Sequence, residues 1–168
     1  MREYLKFYID GQWVEPLEMT TVETINPATE AVSGKIALGN IAAAISDEMG
    51  APMALAQGFH VALGGGHLAT AIEVLKNFEF EELRGQTMIR HEPIGVCAMI
   101  TPWNWPINQI AVKVFPAIAA GCTVVLKPSQ EAHFSAQIFA EIMDAAGVPS
   151  GVFNLVQGKG SVIGAELS

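Results

Sequence analysis

The sequence predicts an α/β protein in which a parallel sheet follows an N-terminal layer of helices and a hairpin. Two observations support this class. The 168 residues are 51% hydrophobic, which is enough to build a substantial buried core. From residue 93 onward, apolar runs of strand length alternate with segments of helical periodicity. That alternation requires parallel strands joined by right-handed crossovers, so we divide the chain into residues 1–92 and 93–168.

The first part begins with a predicted hairpin. Apolar and polar residues alternate over Lys6 to Val14 around Asp10-Gly11, a dipeptide typical of a tight turn with positive φ. Beyond it, Asn26-Pro27 indicates a turn, which is followed by a short strand-like segment that ends near Leu38. These features predict structure and carry no chemistry.

Two helices and an exposed strand are predicted next. Apolar residues recur at helical spacing over Ile41 to Met49, where Asn40 is available as the N-cap, and again over Leu68 to Phe78. Between them, residues 64–66 are all glycine and predict a flexible break or a helix end, because each glycine costs a helix about 1 kcal/mol relative to alanine. Residues 79–90 are charged and then β-prone, as expected of an exposed strand leading into the second part.

The second part predicts three parallel strands connected by helices, which is the first half of a doubly wound, Rossmann-like domain. Gly147 and Pro149 form the stop signal of the second of these helices. A sheet that stops after three strands would leave apolar surface and an unpaired strand edge, so we expect poor solubility or obligatory association. The predicted strands are Ile94 to Ile100, Thr123 to Leu126 and Val152 to Val156, and the predicted helices are Ile107 to Ala120, Ala132 to Ala146 and one that begins near Ser161.

Composition argues against several classes of function. A formal net charge of -8 without a cluster of Lys or Arg argues against nucleic-acid binding. The most apolar stretch, Ile107 to Leu126, is interrupted by Lys113, Pro116 and Gly121, so it does not predict a membrane span. The first ten residues lack the pattern of a secretory signal, and we expect a cytoplasmic protein.

The cysteines and histidines do not predict a reactive or metal-binding site. Cys97 and Cys122 lie in separate apolar runs, which favours reduced buried thiols over a disulfide, and neither has a Cys or His at zinc-ligand spacing. A reactive thiolate needs partial exposure and a basic setting, so neither cysteine is a predicted nucleophile. No histidine is paired with a nucleophile in a recognisable arrangement. The histidines are His60, His67, His91 and His133.

The loops that follow the three predicted strands carry the unusual residues, at 101–106, 127–130 and 157–160. In parallel sheets ligands bind beside such loops, at the carboxyl ends of the strands. The first loop holds two prolines and two tryptophans, which make it stiff, and Asn104 is a polar amide in a setting that would otherwise be packed. Judged by residue type alone, Asn104 suits a helix cap as well as it suits a ligand contact.

The segment Thr101-Pro102-Trp103-Asn104-Trp105-Pro106 and the tripeptide Lys127-Pro128-Ser129 resemble the aldehyde dehydrogenase superfamily. Residues 25–30, 90–95, 119–129 and 151–156 resemble it too, and together these segments cover nearly the whole chain in the family's order. The resemblance implies oxidation of an aldehyde to a carboxylate with NAD or NADP. In the family this reaction passes through a thiohemiacetal on a cysteine and a thioester hydrolysed by water that a glutamate activates. The implied partner is a small aldehyde, and intact members are expected to form homo-oligomers.

The resemblance also implies roles for individual residues. Asn104 matches an asparagine that donates its side-chain amide to the oxyanion, and Lys127 matches a lysine that hydrogen-bonds the adenosine ribose. Residue types alone leave alternatives open, namely Lys127 as a solvated lysine at a strand end and residues 158–160 as a simple tight turn. The residues implied to contact NAD or NADP are Ile100, Thr101, Pro102, Trp103, Lys127, Ser129, Gln130, Gly158 and Gly160.

Gln130 departs from the commonest family pattern, in which a glutamate accepts hydrogen bonds from the ribose 2'-hydroxyl. A glutamine keeps a carbonyl for that hydroxyl but removes a negative charge that would repel a 2'-phosphate. At about 5 Å and an effective dielectric of about 20, that repulsion is of order 3 kcal/mol. The hypothesis is that the site accepts NADP as well as NAD.

Two further departures concern what the 168 residues do not contain. The family's cysteine nucleophile stands in a glycine-rich context that does not occur here, its glutamate base is not matched, and Glu131 is better explained as a helix-start residue. Between the positions of Asn40 and Ile41 the family also has a segment long enough for two amphipathic helices, whereas this chain joins the two residues directly. We therefore expect an N-terminal fragment with an internal deletion that is inactive alone. The alternative is a noncatalytic fragment that binds nucleotide or associates with oligomers.

Overall fold

The computed structural model describes residues 6–14 and 41–168. The predicted turn at Asn26-Pro27, the strand-like segment after it and the Asn40 cap lie outside the described residues. The described part is an α/β structure with one mixed sheet and a separate small antiparallel sheet, which confirms the predicted class.

The main sheet has five strands in the order β2-β1-β7-β6-β5. β5, β6 and β7 are parallel, as predicted, whereas β1 runs antiparallel to both β2 and β7. Among the described residues the three predicted parallel strands are present and β5 is an edge strand, but the sheet does not stop there, because the N-terminal hairpin pairs with β7. The strands are β1 Phe7–Ile9, β2 Gln12–Val14, β5 Val96–Ile100, β6 Thr123–Lys127 and β7 Phe153–Leu155.

The hairpin forms where the sequence predicts it. Asp10 and Gly11 have φ values of 51° and 72°, the left-handed pair that a two-residue hairpin turn requires. Its attachment to the sheet is specific, because the Tyr8 hydroxyl donates to Asp144 Oδ1 at 2.8 Å and the Asp10 amide donates to Asn154 Oδ1 at 3.0 Å. The hairpin thus belongs to the same sheet as the parallel strands, and the division of the chain at residues 92 and 93 stays a prediction.

The helices follow the predicted order, with one correction. The triple glycine lies inside α3, two positions beyond its start, and is neither a break nor a helix end. Gly64 is buried there, and an ideal Cβ on it would collide with Ile107 Cγ2, so this glycine lets two helices approach. The helices are α1 Ile41–Met49, α2 Met53–Leu55, a π-helical turn Ala56–Val61, α3 Ala62–Asn77, α4 Pro106–Ala119 and α5 His133–Ala145, with a further π-helical turn at Gly160–Gly164.

Residues 79–90 form two strands rather than one. β3 (Glu81–Arg84) and β4 (Thr87–Arg90) pair as an antiparallel hairpin, because Gly85 adopts φ 65° and turns the chain back. Both strands are largely exposed, as predicted.

The core lies between the main sheet and α1, α4 and α5. Glu48 of α1 is 1% exposed, and its Oε2 accepts from the amides of Phe134 at 2.7 Å and Ser135 at 3.2 Å. A carboxylate at a helix N-terminus satisfies free amides and complements the helix dipole. Glu48 thereby fixes α1 onto the start of α5. Within the described ranges, no helix is long and apolar enough to cross a membrane.

Candidate functional site

The first two predicted loops leave the sheet side by side. Ile100, the last residue of β5, is in register with Lys127, the last residue of β6. The next step of the ladder continues beyond the strand, since the Thr101 amide donates to the Lys127 carbonyl at 3.1 Å. On the other side, the Val156 amide donates to the Leu126 carbonyl at 2.9 Å. All three loops therefore start side by side, at the carboxyl ends of the three parallel strands. This end of the strands is called the loop edge of the sheet.

Lys127 is buried at this edge, with an exposed fraction of 3%. Its Nζ donates to the Pro128 carbonyl at 2.9 Å, and burial lowers the pKa of its ammonium group. A lysine ammonium has three donors, so the single bond found among the described residues leaves donors available. The alternative of a solvated lysine at a strand end is wrong.

The first loop is anchored at one end and open in the middle. Thr101 is 4% exposed, whereas Trp103 is 52% exposed and Asn104 is exposed as well. The expectation that Asn104 lies in a packed setting is therefore wrong for the described structure. The cap alternative also fails, because the N-cap of α4 is Trp105 and it is made without a side-chain hydrogen bond.

Trp105 closes the loop in an unusual backbone conformation. Its φ and ψ are both 56°, in the left-handed region, and Pro106 follows as the first residue of α4. A bulky residue in this region costs roughly 1–3 kcal/mol and persists only where surrounding contacts hold it. Local sequence does not impose this conformation, so tertiary contacts of Trp105 must stabilise it.

His60 supplies such a contact. Its ring stacks on the Trp105 indole with centroids 4.3 Å apart and planes inclined by 14°. His60 is 2% exposed and belongs to the π-helical turn Ala56–Val61. Burial lowers the pKa of His60, which favours the neutral ring at pH 7. Aromatic pairs in this range contribute about 0.5–1.5 kcal/mol beyond the area they bury.

The face that carries His60 continues into α3, where it makes further contacts with α4. One turn beyond His60, Gly64 meets Ile107, and His67 Nε2 donates to Asn108 Oδ1 at 2.6 Å. Sequence reasoning set these histidines aside because none has a nucleophile beside it. The spacing of Ala56, His60, Gly64 and His67, with intervals of four, four and three residues, is the signal that identifies one inward-facing stripe.

The second loop passes directly into α5. Ser129 Oγ accepts from the Glu131 amide at 3.3 Å and caps a 3-10 turn at Gln130–Ala132. Glu131 lies in that first turn, as predicted. Gln130 is half-buried, and its carbonyl accepts from His133 Nδ1 at 2.6 Å, which leaves its side-chain amide out of the hydrogen bonds that fix this turn.

The third loop has a close approach that explains one glycine. Gly158 has φ 151°, and an ideal Cβ there would lie 2.6 Å from Ile163 Cδ1. Gly160 begins a π-helical turn and has open space where a Cβ would stand. Of these two positions, only Gly158 needs glycine for a reason visible in the fold.

The two cysteines are free but close together. Cys97 is half-exposed on β5, and Cys122 is buried just before β6. Burial and then the neighbouring Cys122 thiol raise the pKa of Cys97. A raised pKa keeps the thiol protonated, which is the opposite of what a nucleophile needs. In the part of the chain that the structure describes, no group of His, Cys, Asp or Glu forms a candidate metal site.

A cavity of about 350 Å³ lies between α3 and α4, and none of its lining residues belongs to the three loops. This cavity is therefore separate from the loops beside which the sequence predicts a ligand. Apart from His67 and Thr70 its lining is apolar. The lining comprises His67, Thr70, Ala71, Val74, Leu75, Phe78, Phe80, Val112, Pro116, Ala119 and Ala120.

Comparison with known sequences gives one consistent family. Residues 37–168 match the sequence model of the aldehyde dehydrogenase family. The chain is 45% identical to a 3-succinoylsemialdehyde-pyridine dehydrogenase of a Pseudomonas species, over all of this chain and 44% of that protein. That alignment spans 212 positions, more than the 168 residues of the chain, so the relative carries residues that this chain does not.

Comparison with solved structures agrees. An aldehyde dehydrogenase of Bartonella henselae superposes with a TM-score of 0.90 at 37% identity, covering 96% of this chain and 44% of that one. A variant of aldehyde dehydrogenase C from Pseudomonas syringae, solved in complex with NAD+ and octanal, also gives 0.90 at 41% identity, covering 95% of this chain and 42% of that one. The chain thus spans less than half the length of the relatives it matches.

Proposed function

Because the chain belongs to the aldehyde dehydrogenase family, we propose that it carries the oxyanion donor and part of the dinucleotide site for oxidation of an aldehyde to a carboxylate. The observation that supports this most is the position of the first two loops. They leave the same edge of the sheet, joined by the hydrogen bond from the Thr101 amide to the Lys127 carbonyl. One loop carries an exposed amide and the other a buried ammonium, so one elongated ligand can reach both.

Asn104 is the proposed oxyanion donor. Its side chain is exposed and is not used as a helix cap, so its amide hydrogens are available to a ligand. A fixed neutral donor stabilises negative charge where that charge develops in the transition state, and removing such a donor costs about 2.7–4 kcal/mol. In an active form of the protein, Asn104→Ala is expected to lower kcat with little change in KM.

The residues around Lys127 fit NAD or NADP. Lys127 retains donors for ribose hydroxyls, and the absence of a Cβ at Gly158 lets the backbone pass close to Ile163 beside the third loop. When bound, the nicotinamide ring accepts the hydride that the aldehyde carbon loses. The residues proposed to hold the dinucleotide are Ile100, Thr101, Pro102, Trp103, Lys127, Ser129, Gln130, Gly158 and Gly160.

The nucleophile and the general base are not assigned to any residue of this chain. Cys97 has a raised pKa and Cys122 is buried, so neither thiol suits attack on a carbonyl. We therefore propose that residues 1–168 alone do not oxidise aldehydes. An assay of NADH formation by the chain with NAD and an aldehyde tests this, and NADH formation would contradict it. Reading the DNA beyond the codon for Ser168 then shows whether an in-frame cysteine in a glycine-rich context supplies the missing group.

Calorimetric titration with NAD tests the nucleotide site. We expect weak binding by the chain, and Lys127→Met should weaken it by about 10- to 100-fold, because hydrogen bonds to a charged donor contribute about 1.5–3 kcal/mol. Lys76→Met is the matched control, since Lys76 is an exposed lysine on α3 that pairs with Glu73. Equal affinity of the Lys127→Met variant and the unsubstituted chain would contradict the proposed site.

The choice between NAD and NADP is tested at Gln130. If the missing charge permits a 2'-phosphate, Gln130→Glu should weaken NADP binding by up to about 100-fold and leave NAD within a few-fold. Glu131→Gln, which removes a neighbouring exposed charge, serves as the control. Unchanged NADP affinity in Gln130→Glu would show that position 130 does not discriminate.

A second candidate function, association with other chains, is favoured by the exposed apolar face of α3. Leu68, Ile72 and Leu75 lie at helical spacing on that face and are between 41% and 47% exposed. Contiguous apolar surface of this kind is typical of interaction sites. Ile72→Lys should shift sedimentation of the chain toward the monomer, whereas Ala69→Lys, at an exposed small residue of the same helix, should not. A monomeric unsubstituted chain would exclude self-association.

A further inference from the structure

We infer that His60 is a positioning residue for Asn104: its ring, stacked on Trp105, fixes the end of the loop and thereby the direction of the Asn104 amide. This inference rests on the proposed oxyanion role of Asn104. It assigns a role to a residue of the N-terminal layer that lies 44 positions before Asn104 in the sequence and has no chemical role of its own.

The backbone of Trp105 requires an external support. Trp105 has φ 56°, and a residue before proline is ordinarily restricted to extended conformations. The first turn of α4 begins at Pro106, so any relaxation of Trp105 would rotate the peptide that joins it to Asn104. The loop conformation is therefore as stable as the contacts that hold the Trp105 indole.

His60 is built into the fold as that support. The π-helical turn that carries it inserts an extra residue into the helix, a feature that frequently accompanies functional sites. Its Nδ1 is buried and has no hydrogen-bond partner among the described residues. The contact with Trp105 is made instead by the flat face of the ring.

Neighbouring contacts restrict the loop on both sides of Asn104. Toward α4, Gly64 packs on Ile107 and His67 bonds Asn108, which hold the first turn of the helix. Toward the sheet, the Thr101 amide is bonded to the Lys127 carbonyl. Asn104 lies between these two anchors, and the His60 stack is the anchor nearest to it.

The test uses NMR of the chain with His60→Leu and His60→Phe. The Trp105 indole resonance reports the stack, the Asn104 side-chain amide reports the loop, and the Trp13 indole on the distant hairpin is an internal control. Sodium acetate is the probe of the oxyanion donor, because its carboxylate accepts from an amide. We expect His60→Leu to shift Trp105, to disorder the Asn104 amide and to weaken its response to acetate about tenfold.

The conservative variant separates positioning from general stability. His60→Phe keeps a flat ring, so Asn104 should keep its order and its acetate response, with Trp13 unchanged in both variants. If His60→Leu does not fold, Trp105→Leu removes the same stack from the other side and should give the same loss at Asn104. Unchanged Asn104 resonances in a folded His60→Leu or Trp105→Leu variant would overturn the inference. No acetate response in the unsubstituted chain would contradict the oxyanion role itself, and the inference would fall with it.

Discussion

Two helices of similar apolar content, α5 and α3, differ sharply in how far they are buried. In α5 every residue from Phe134 to Ala140 is buried, whereas in α3 the only buried residue is Gly64. α5 contacts α1, α4 and β7 and is covered on more than one face, while α3 packs mainly against α4. The difference shows that burial here is decided by the number of layers that reach a helix and not by its apolar content.

The same contrast separates two halves of the candidate site. Lys127 and Thr101 are fixed by the packed side of the sheet. The end of the loop that carries Asn104 is fixed instead by the π-helical turn before α3, through His60, and Asn104 itself is exposed. Substitutions on the packed side should therefore change global stability, whereas substitutions on the open side should act locally.

Matched phenylalanines give the largest expected effect. Phe134 is 2% exposed and Phe59 is 59% exposed. Phe134→Ala should lower the free energy of unfolding by about 3–5 kcal/mol, because it leaves a cavity in the core. Phe59→Ala should stay within about 0.5 kcal/mol of the unsubstituted chain. Denaturant titration followed by circular dichroism measures both, and equal effects would abolish the contrast between the two sides.

The second-largest change in the free energy of unfolding is expected for a matched pair of glutamates. Glu48→Gln replaces the carboxylate that accepts from Phe134 and Ser135, and should cost about 2 kcal/mol, because hydrogen bonds to a charged acceptor are lost. Glu73→Gln removes an exposed i,i+3 ion pair with Lys76 and should cost less than about 0.5 kcal/mol. Thermal unfolding compares them. A Glu48→Gln variant as stable as the Glu73→Gln variant would show that α1 is not anchored through its carboxylate.

The triple glycine provides an internal comparison on the open helix. At Gly64 an added Cβ meets Ile107, so Gly64→Ala should destabilise by about 1–2 kcal/mol through overpacking. At Gly65 an added Cβ meets nothing within 4 Å, so Gly65→Ala should stabilise the helix by about 0.5–1 kcal/mol. Opposite signs in urea titrations are the expected result. A stabilising effect of Gly64→Ala would contradict the close packing of α3 on α4 at this position.

The smallest expected effect concerns the hairpin. Burial and the bonded Asp144 carboxylate raise the pKa of Tyr8 to about 12. Its folded pKa lies above the ordinary tyrosine pKa of 10.0, so its contribution to stability is complete below pH 10 and is lost as pH rises from 10 toward 12. Tyr8→Phe should cost about 1 kcal/mol at neutral pH and flatten that alkaline loss. Unfolding free energies at pH 8, 10 and 11 measure the slope, and identical slopes in both proteins would contradict the assignment.

Much of the local structure was predictable from the sequence, and the errors have physical causes. Asp10-Gly11 specified its turn because both residues tolerate positive φ, and α1 was predicted with the bounds that the structure shows. The triple glycine was misjudged because propensity measures the isolated helix. In the folded chain, close packing of Gly64 on Ile107 outweighs the unfavourable propensity of the glycines.

For the candidate site, too, some features were predictable from the sequence and others were not. The sequence by itself determined the alternation of strands and helices, the three loops at one edge and the residue types that stand in them, because periodicity and turn chemistry are local properties. Only the tertiary structure decided that the hairpin extends the sheet, that Lys127 is buried and that His60 stacks on Trp105. Those facts depend on contacts between residues that are far apart in the chain. Such contacts are set by how the layers pack, and no local sequence pattern encodes them.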